Sequence, residues 1–101
     1  MGQNQEAADA LKVAVGFNAR NYLARRMLAR IYWRQNRPVK AESELAQVVR
    51  KESNFGEARA EHGIALVKLK EYRQAIPELR AAPDLGYRDA IVHYYSGVAY
   101  A

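Results

Sequence analysis

Apolar residues recur at three and four positions through six successive stretches, a spacing that predicts helices along the whole chain. The first covers 5–15, with Ala7, Ala8, Leu11, Ala14 and Val15 on one side, Asn4 as its cap, Glu6 and Asp9 in its first turns, and Gly16 at its close. After a turn at Asn18, the second covers 21–35, where Leu23, Met27, Leu28, Ile31 and Tyr32 form the buried side and Ala24 and Ala29 admit a close neighbour. Asn36-Arg37-Pro38 breaks the pattern, and Pro38 suits a first helical turn because its missing N–H would have no intrahelical partner there. A third helix over 38–52 turns Ala41, Leu45, Val48 and Val49 inward, and Ser53-Asn54 ends it. The fourth, over 56–69, carries Ala60, Gly63, Ile64, Leu66 and Val67, with a tight corner at Lys70-Glu71. The fifth, over 72–82, carries Ala75, Ile76, Leu79 and Ala82; Pro77 within it predicts a slight kink or a late start. Pro83-Asp84-Leu85-Gly86 is the next turn, and a sixth helix runs from about 88 to Tyr100. Connections this short make neighbouring helices antiparallel, and no stretch asks for a strand.

The pattern repeats at an offset of 34 residues. Tyr32 falls over Leu66 and Tyr100, Ala29 over Gly63 and Gly97, Ala41 over Ala75, Leu45 over Leu79 and Val48 over Ala82; running back from Ala41, Leu45 and Val48 reaches Ala7, Leu11 and Ala14. A simple bundle has no need of such an echo. A stack of helical hairpins does, because each unit must present the same face to the next. The small residue at Ala29, Gly63 and Gly97, like that at Ala7, Ala41 and Ala75, lets paired helices close on one another, and Tyr32, Leu66 and Tyr100 fill the space left.

These residues resemble the tetratricopeptide repeat, a 34-residue helix–turn–helix patterned W-x2-L-G-x2-Y, then A-x3-F, A and P. Its first half reads here as Leu28-Ala29-x2-Tyr32, His62-Gly63-x2-Leu66 and His93-x2-Ser96-Gly97-x2-Tyr100. Its second half reads as Ala7-x3-Leu11-x2-Ala14, Ala41-x3-Leu45-x2-Val48 and Ala75-x3-Leu79-x2-Ala82. The departures are Arg25, Arg59 and His93 in place of the Trp, Ser53 and Tyr87 in place of the closing Pro, and Trp33 one residue beyond the Tyr position. The resemblance implies an all-α solenoid, a right-handed superhelical stack of about six helices. It divides the chain into a second helix over 4–16, repeats over 22–55 and 56–89, and a first helix over 90–101. Such a segment belongs to a longer array, and its two apolar edges are expected to favour self-association.

In function, the resemblance implies a non-catalytic protein–protein interaction scaffold, with a concave groove for a partner peptide or protein, within a larger assembly such as a bacterial envelope or secretion complex. First helices line such a groove. The offset aligns Leu23 with Glu57 and Ile91, Arg26 with Ala60 and Tyr94, and Arg30 with Ile64 and Val98; Trp33 and Val67 extend the row, with Arg34 and Lys68 beside them. A groove basic at one end and apolar to aromatic at the other suits a peptide or helix with an acidic end and large apolar side chains. The carboxylate clamp of chaperone-binding repeats would fall on Arg26, Arg30, Glu61, Ile91 and Tyr95, where Glu61 would repel the carboxylate.

Charge and composition add a second reading. The formal charge is +5, and the stretch 20–37 holds Arg20, Arg25, Arg26, Arg30, Arg34 and Arg37 with no acid. Arg26, Arg30 and Arg34 stack at a spacing of four, so something neutralises them: Glu57 and Glu61 on the next first helix, or an anionic partner. An anionic polymer, nucleic acid or acidic polysaccharide, is the alternative ligand, but the cluster does not recur in the next copy, which argues against a tracking groove for nucleic acid. Tyr87, Tyr94, Tyr95 and Tyr100 fit packing into a further repeat as well as ligand contact.

No chemistry is legible. Without cysteine there are no disulfides or thiolate metal sites, and His62 and His93 hold packing positions with no second ligand at metal spacing. Ser43, Ser53 and Ser96 lack a His and acid in catalytic arrangement, no phosphate loop exists, and Glu42, Glu44, Glu52, Glu57, Glu61, Glu71 and Glu78 mostly read as outer-face charges. The expectation is no enzyme and no cofactor. No apolar run is long enough to insert in a membrane, and the residues 1–4 lack signal-peptide blocks, leaving cytoplasm and periplasm both open.

Overall fold

The computed structural model describes residues 2–18 and 21–101. Six helices follow one another: α1 (Gly2–Phe17), α2 (Tyr22–Arg34), α3 (Pro38–Lys51), α4 (Gly56–Lys68), α5 (Tyr72–Asp84) and α6 (Ala90–Tyr100). The described residues contain no strand. Each helix packs on the next, and α4 also touches α6. The result is a row of helices measuring 37 × 26 × 20 Å, not a ring closed about one centre.

Local chemistry sets most of the helix ends. Asn21 caps α2 by accepting a hydrogen bond from the Ala24 N–H at 3.1 Å, and Pro38 opens α3 in its first turn. Asn36 (φ 58°) and Lys70 (φ 63°) are left-handed, 34 residues apart, and each ends a first helix in the same way. After α2, the Asn36 N–H reaches Trp33 O at 3.0 Å and the Arg37 N–H reaches Tyr32 O at 2.8 Å; after α4, Lys70 reaches Val67 O at 2.9 Å and Glu71 reaches Leu66 O at 2.8 Å. This pairing satisfies the last free carbonyls of a helix. Gly86 (φ 95°) closes α5 by the same pattern, and the Asp89 side chain caps α6 through the Ile91 N–H at 3.0 Å.

Several expected boundaries shift. Asn4 lies inside α1, not ahead of it, and Gly16 is a helical residue rather than its stop. Pro77 does not delay α5, which starts at Tyr72, and Pro83 stands in its last turn because closure occurs three residues later, at Gly86.

The core divides into three clusters of buried residues. Leu28, Ala29, Ile31 and Tyr32 of α2 meet Ala41 and Leu45 of α3, with Ala8 of α1 and Ala65 of α4. Leu66 and Val67 of α4 meet Ala75, Leu79 and Ala82 of α5 and Val92 and Ala99 of α6. Val48, Val49 and Ala58 join α3 to α4. Leu23 and Met27, expected inside, are exposed at 63% and 44%, while Arg26 between them is 6% exposed. That exchange follows from the ion pairs described below, which draw Arg26 toward α4. Ala7 is exposed although Ala41 and Ala75 are fully buried, and His93 of α6, expected in a packing position, is exposed.

Close approach is tightest at Gly63, where a β-carbon would lie 2.7 Å from Leu79 Cγ; at Gly97 it would meet nothing within 4 Å. Gly63→Ala is therefore expected to destabilise the chain by about 1–3 kcal/mol through overpacking. Gly97→Ala should instead be neutral or stabilise by up to about 1 kcal/mol, from helix propensity alone. Urea unfolding followed by circular dichroism separates the two.

Candidate functional site

Helices α2 and α4 are joined across their polar sides by a four-member charge cluster. Arg26 Nε donates to Glu61 Oε1 at 2.6 Å, and its Nη2 lies 2.6 Å from Glu57 Oε1. Arg30 Nη2 lies 3.2 Å from Glu61 Oε2 and 3.9 Å from Glu57 Oε1. The Arg26 guanidinium also lies 4.7 Å from the Phe55 ring centre. Burial works against its charge, yet the hydrogen bonds and charges of Glu61 and Glu57 outweigh that cost and raise its pKa. Two cations face two carboxylates, so the cluster is neutral.

Two further pairs repeat with the fold. Arg25 Nη1 donates to Glu44 Oε2 at 2.9 Å between α2 and α3, and Arg59 Nη1 donates to Glu78 Oε1 at 3.1 Å between α4 and α5. Both pairs span 19 residues, and they are related by the 34-residue offset. His62 lies between Glu42 of α3 (Nε2 to Oε1, 3.0 Å) and Glu78 of α5 (Nδ1 to Oε2, 3.2 Å). Only the doubly protonated ring donates to both. Burial pulls the His62 pKa down, but the hydrogen bonds of Glu78 and Glu42, with their charges, more than offset it and hold it above 6.5. Of the seven Glu expected on the outer face, Glu42, Glu44, Glu57, Glu61 and Glu78 are thus inter-helix partners, while Glu52 and Glu71 are exposed.

Beside the charge cluster lies an open cleft of about 150 Å³, lined by Arg26, Ala29, Arg30 and Trp33 of α2, Leu45 of α3, and Glu61, Ile64 and Lys68 of α4. Trp33 is half-buried against the first core cluster, and Lys68 Nζ sits 4.9 Å from its ring centre, within cation–π range. Ala29 and Leu45 floor the cleft, Trp33 and Ile64 wall it, and Arg30, Glu61 and Lys68 form a polar rim. A volume of this size takes one aromatic or branched aliphatic side chain.

Arg26, Arg30, Trp33, Ile64 and Lys68, among the residues that the offset aligned, come together in this cleft. Ala60 and Val67 are buried in the second cluster, so they support the surface without forming it. Glu57 belongs to the charge cluster, Leu23 and Arg34 are exposed on α2, and Ile91 and Tyr94 are exposed on α6, with Val98 half-buried. Tyr94 meets Tyr95 edge-on at 5.1 Å. Arg20 of the basic stretch lies outside the described residues. Sequence reading missed Leu45 and Ala29 as cleft floor and His62 as a bridge. The signal for the bridge was present, since Glu42, His62 and Glu78 stand on three successive helices. Among the described residues no group of His, Asp or Glu is placed to hold a metal, and no helix is long and apolar enough to cross a membrane.

Removing both acids through Glu57→Ala with Glu61→Ala leaves Arg26 buried and unpaired, and should cost about 2–3 kcal/mol in urea unfolding; Arg26→Met should cost far less. The His62 bridge gives a pH dependence of definite sign. Its pKa is raised on folding, so its stabilisation is complete below 6.5 and is lost as pH rises through the folded value. Thermal unfolding across neutral pH should show this decline, and His62→Gln should flatten it.

Two family models described as tetratricopeptide repeat match the chain, one over residues 1–60 and the other over 60–101. No curated protein sequence matches it. Among solved structures, the first tetratricopeptide-repeat domain of Spaghetti (RPAP3), bound to the HSP90 peptide SRMEEVD, superposes with a TM-score of 0.88 at 18% identity, over 98% of this chain and 79% of that one. The MamA RS-1 ArsTM double mutant gives 0.87 at 24% identity over 96% of this chain, and MamA MSR-1 C2 gives 0.79 at 20% over 98%. The chain spans 55% and 57% of those two proteins.

Proposed function

The chain belongs to the tetratricopeptide repeat family, and on that premise we propose that it is a non-catalytic scaffold whose first-helix side binds a partner peptide or helix. The observation that carries this reading is the open cleft between α2 and α4, with an apolar floor, a Trp wall and a charged rim. Interfaces place such residues at their energetic centre: a large apolar side chain enters the cavity while polar groups around it exclude water. Exposed Ile91 and Tyr94 on α6 extend the surface along the row. The bound HSP90 peptide of the Spaghetti structure supports a peptide as the class of ligand. A C-terminal carboxylate is a poor fit, because Glu61 stands at the rim and already engages Arg26 and Arg30. The partner is better described as carrying one large apolar side chain beside an acid that faces Arg34 and Lys68.

The geometry favours this over an anionic polymer. Arg26 and Arg30 are balanced by Glu57 and Glu61, so the densest part of the basic stretch is neutral at the surface. A displayed library of helical peptides, selected on the chain, tests the proposal, with Trp33, the single tryptophan, as a fluorescent reporter of occupancy. Selected peptides should perturb Trp33 and lose about tenfold in affinity on Tyr94→Ala, with the fold intact. Peptides that leave Trp33 unperturbed would refute the cleft as the site. Binding that instead collapses steeply with salt and accepts oligonucleotides would favour the polymer reading.

A further inference from the structure

The aromatic wall of the cleft already carries a cation, and that cation belongs to the chain itself. Lys68 Nζ sits 4.9 Å from the Trp33 ring centre, and both residues line the same opening. Trp33 stands on α2 and Lys68 in the last turn of α4, so the lysine reaches across the cleft to the opposite wall. The repeat pattern does not require this contact: at the 34-residue offset Val67 takes the place of Trp33 and is buried in the second core cluster. Little else holds the ammonium. Lys68 is exposed, and among the described residues it has no carboxylate partner. Glu61, two turns earlier on α4, is engaged by Arg26 and Arg30. An exposed cation over an aromatic face is held weakly and leaves it by a simple rotamer change.

The ammonium also stands where a ligand has to go. An apolar side chain that enters the cleft to lie on Trp33 meets it first and must displace it, because a charge trapped unpaired between two apolar surfaces is costly. Displacement is easy when the ligand offers a carboxylate close to its anchor, and unfavourable when it does not. We propose that Lys68 is a movable cover on Trp33 that selects a helical segment bearing an acid three or four positions from its apolar anchor, a reading that rests on the cleft being the partner site. Residues at that spacing share one face of a helix, so the anchor replaces the ammonium on the indole while the acid receives it. Arg34 cannot act in this way. It is exposed on α2 and does not line the cleft, so it adds charge nearby without covering the ring.

Lys68→Ala, at an exposed helix position, tests this in two steps. In the free chain, acrylamide should quench Trp33, the single tryptophan, more steeply once the cover is gone. For binding, the probes are two helical peptides from the displayed library, identical except for Glu or Gln four positions from the apolar anchor. On the parent chain the Glu peptide should bind about threefold to fivefold tighter, and on Lys68→Ala the two should agree within about twofold. The Gln peptide should bind Lys68→Ala about twofold to fivefold tighter than it binds the parent, since no cation has to be displaced. Arg34→Met should give the Gln peptide no such gain. A lysine that merely attracts the acid gives none either, so equal affinity of the Gln peptide for parent and Lys68→Ala overturns the proposal, as does unchanged acrylamide quenching. Both results leave the cleft standing as the site. Peptides that bind with Trp33 unperturbed would instead remove the cleft as the site, and the cover with it.

Discussion

A helical hairpin cannot cover its own apolar side, and the rest of this structure follows from how the chain meets that constraint. The strip that ends in Ala29 and Tyr32, and again in Gly63 and Leu66, is sealed by a second helix that comes close enough to touch the backbone. A large residue at Gly63 would hold α5 away. A small one brings Leu79 down to the helix and leaves Leu66 and Leu79 among the largest fully buried side chains. The outer side of that second helix must then be covered by the next first helix, as α5 is by α6. Burial of apolar area supplies the driving force, and the spacing of small residues decides where it is spent.

Charge takes over a task that the repeat pattern usually gives to an aromatic. Arg25 and Arg59 occupy the Trp position, and each reaches its own second helix to pair with Glu44 or Glu78. The stems of these arginines cover apolar surface while their heads find acids. Largely buried pairs of this kind add little net stability over apolar residues of the same shape, but a single unpaired member would be costly, so they favour one sliding position of the hairpin over others. The bridge from Glu42 through His62 to Glu78 extends the same device across three helices. Because His62 reaches Glu42 of the α2–α3 hairpin as well as Glu78 of its own, the two hairpins are coupled electrostatically as well as by packing.

Helix number, order and facing were legible in the sequence because the 34-residue period is carried by residues whose size is decisive: Ala29, Gly63, Leu45 and Leu79 tolerate few exchanges. The pairing of Arg26 and Arg30 with Glu57 and Glu61 was legible as one of two accounts, since the offset alone places those acids on the adjacent first helix. What escaped was everything that depends on how far a side chain reaches. Leu23 and Met27 have the spacing of a buried face, yet Arg26 lies inside because its long side chain turns toward two carboxylates and the Phe55 ring. The acids of α3 and α5 read as solvated because periodicity reports direction from the axis and says nothing of partners across it. The end of α5 at Asp84 differed from expectation since closure depends on the left-handed Gly86, not on the nearest proline.

The placement of charge also bears on what the cleft can recognise. Arg34 and Lys68 lie in the last turns of α2 and α4, where a cation is already favoured by the negative end of the helix dipole. Lys68 further rests over the Trp33 ring. Their charge is thus partly satisfied within the chain before any ligand arrives, and the four-member cluster beside them is neutral. That cluster adds no net charge to draw a polyanion. On the proposed reading, selectivity at this surface rests first on shape: a cavity of about 150 Å³ bounded by Trp33 and Ile64, which rewards one side chain of the right size, with Arg34 and Lys68 adding a preference for a neighbouring acid.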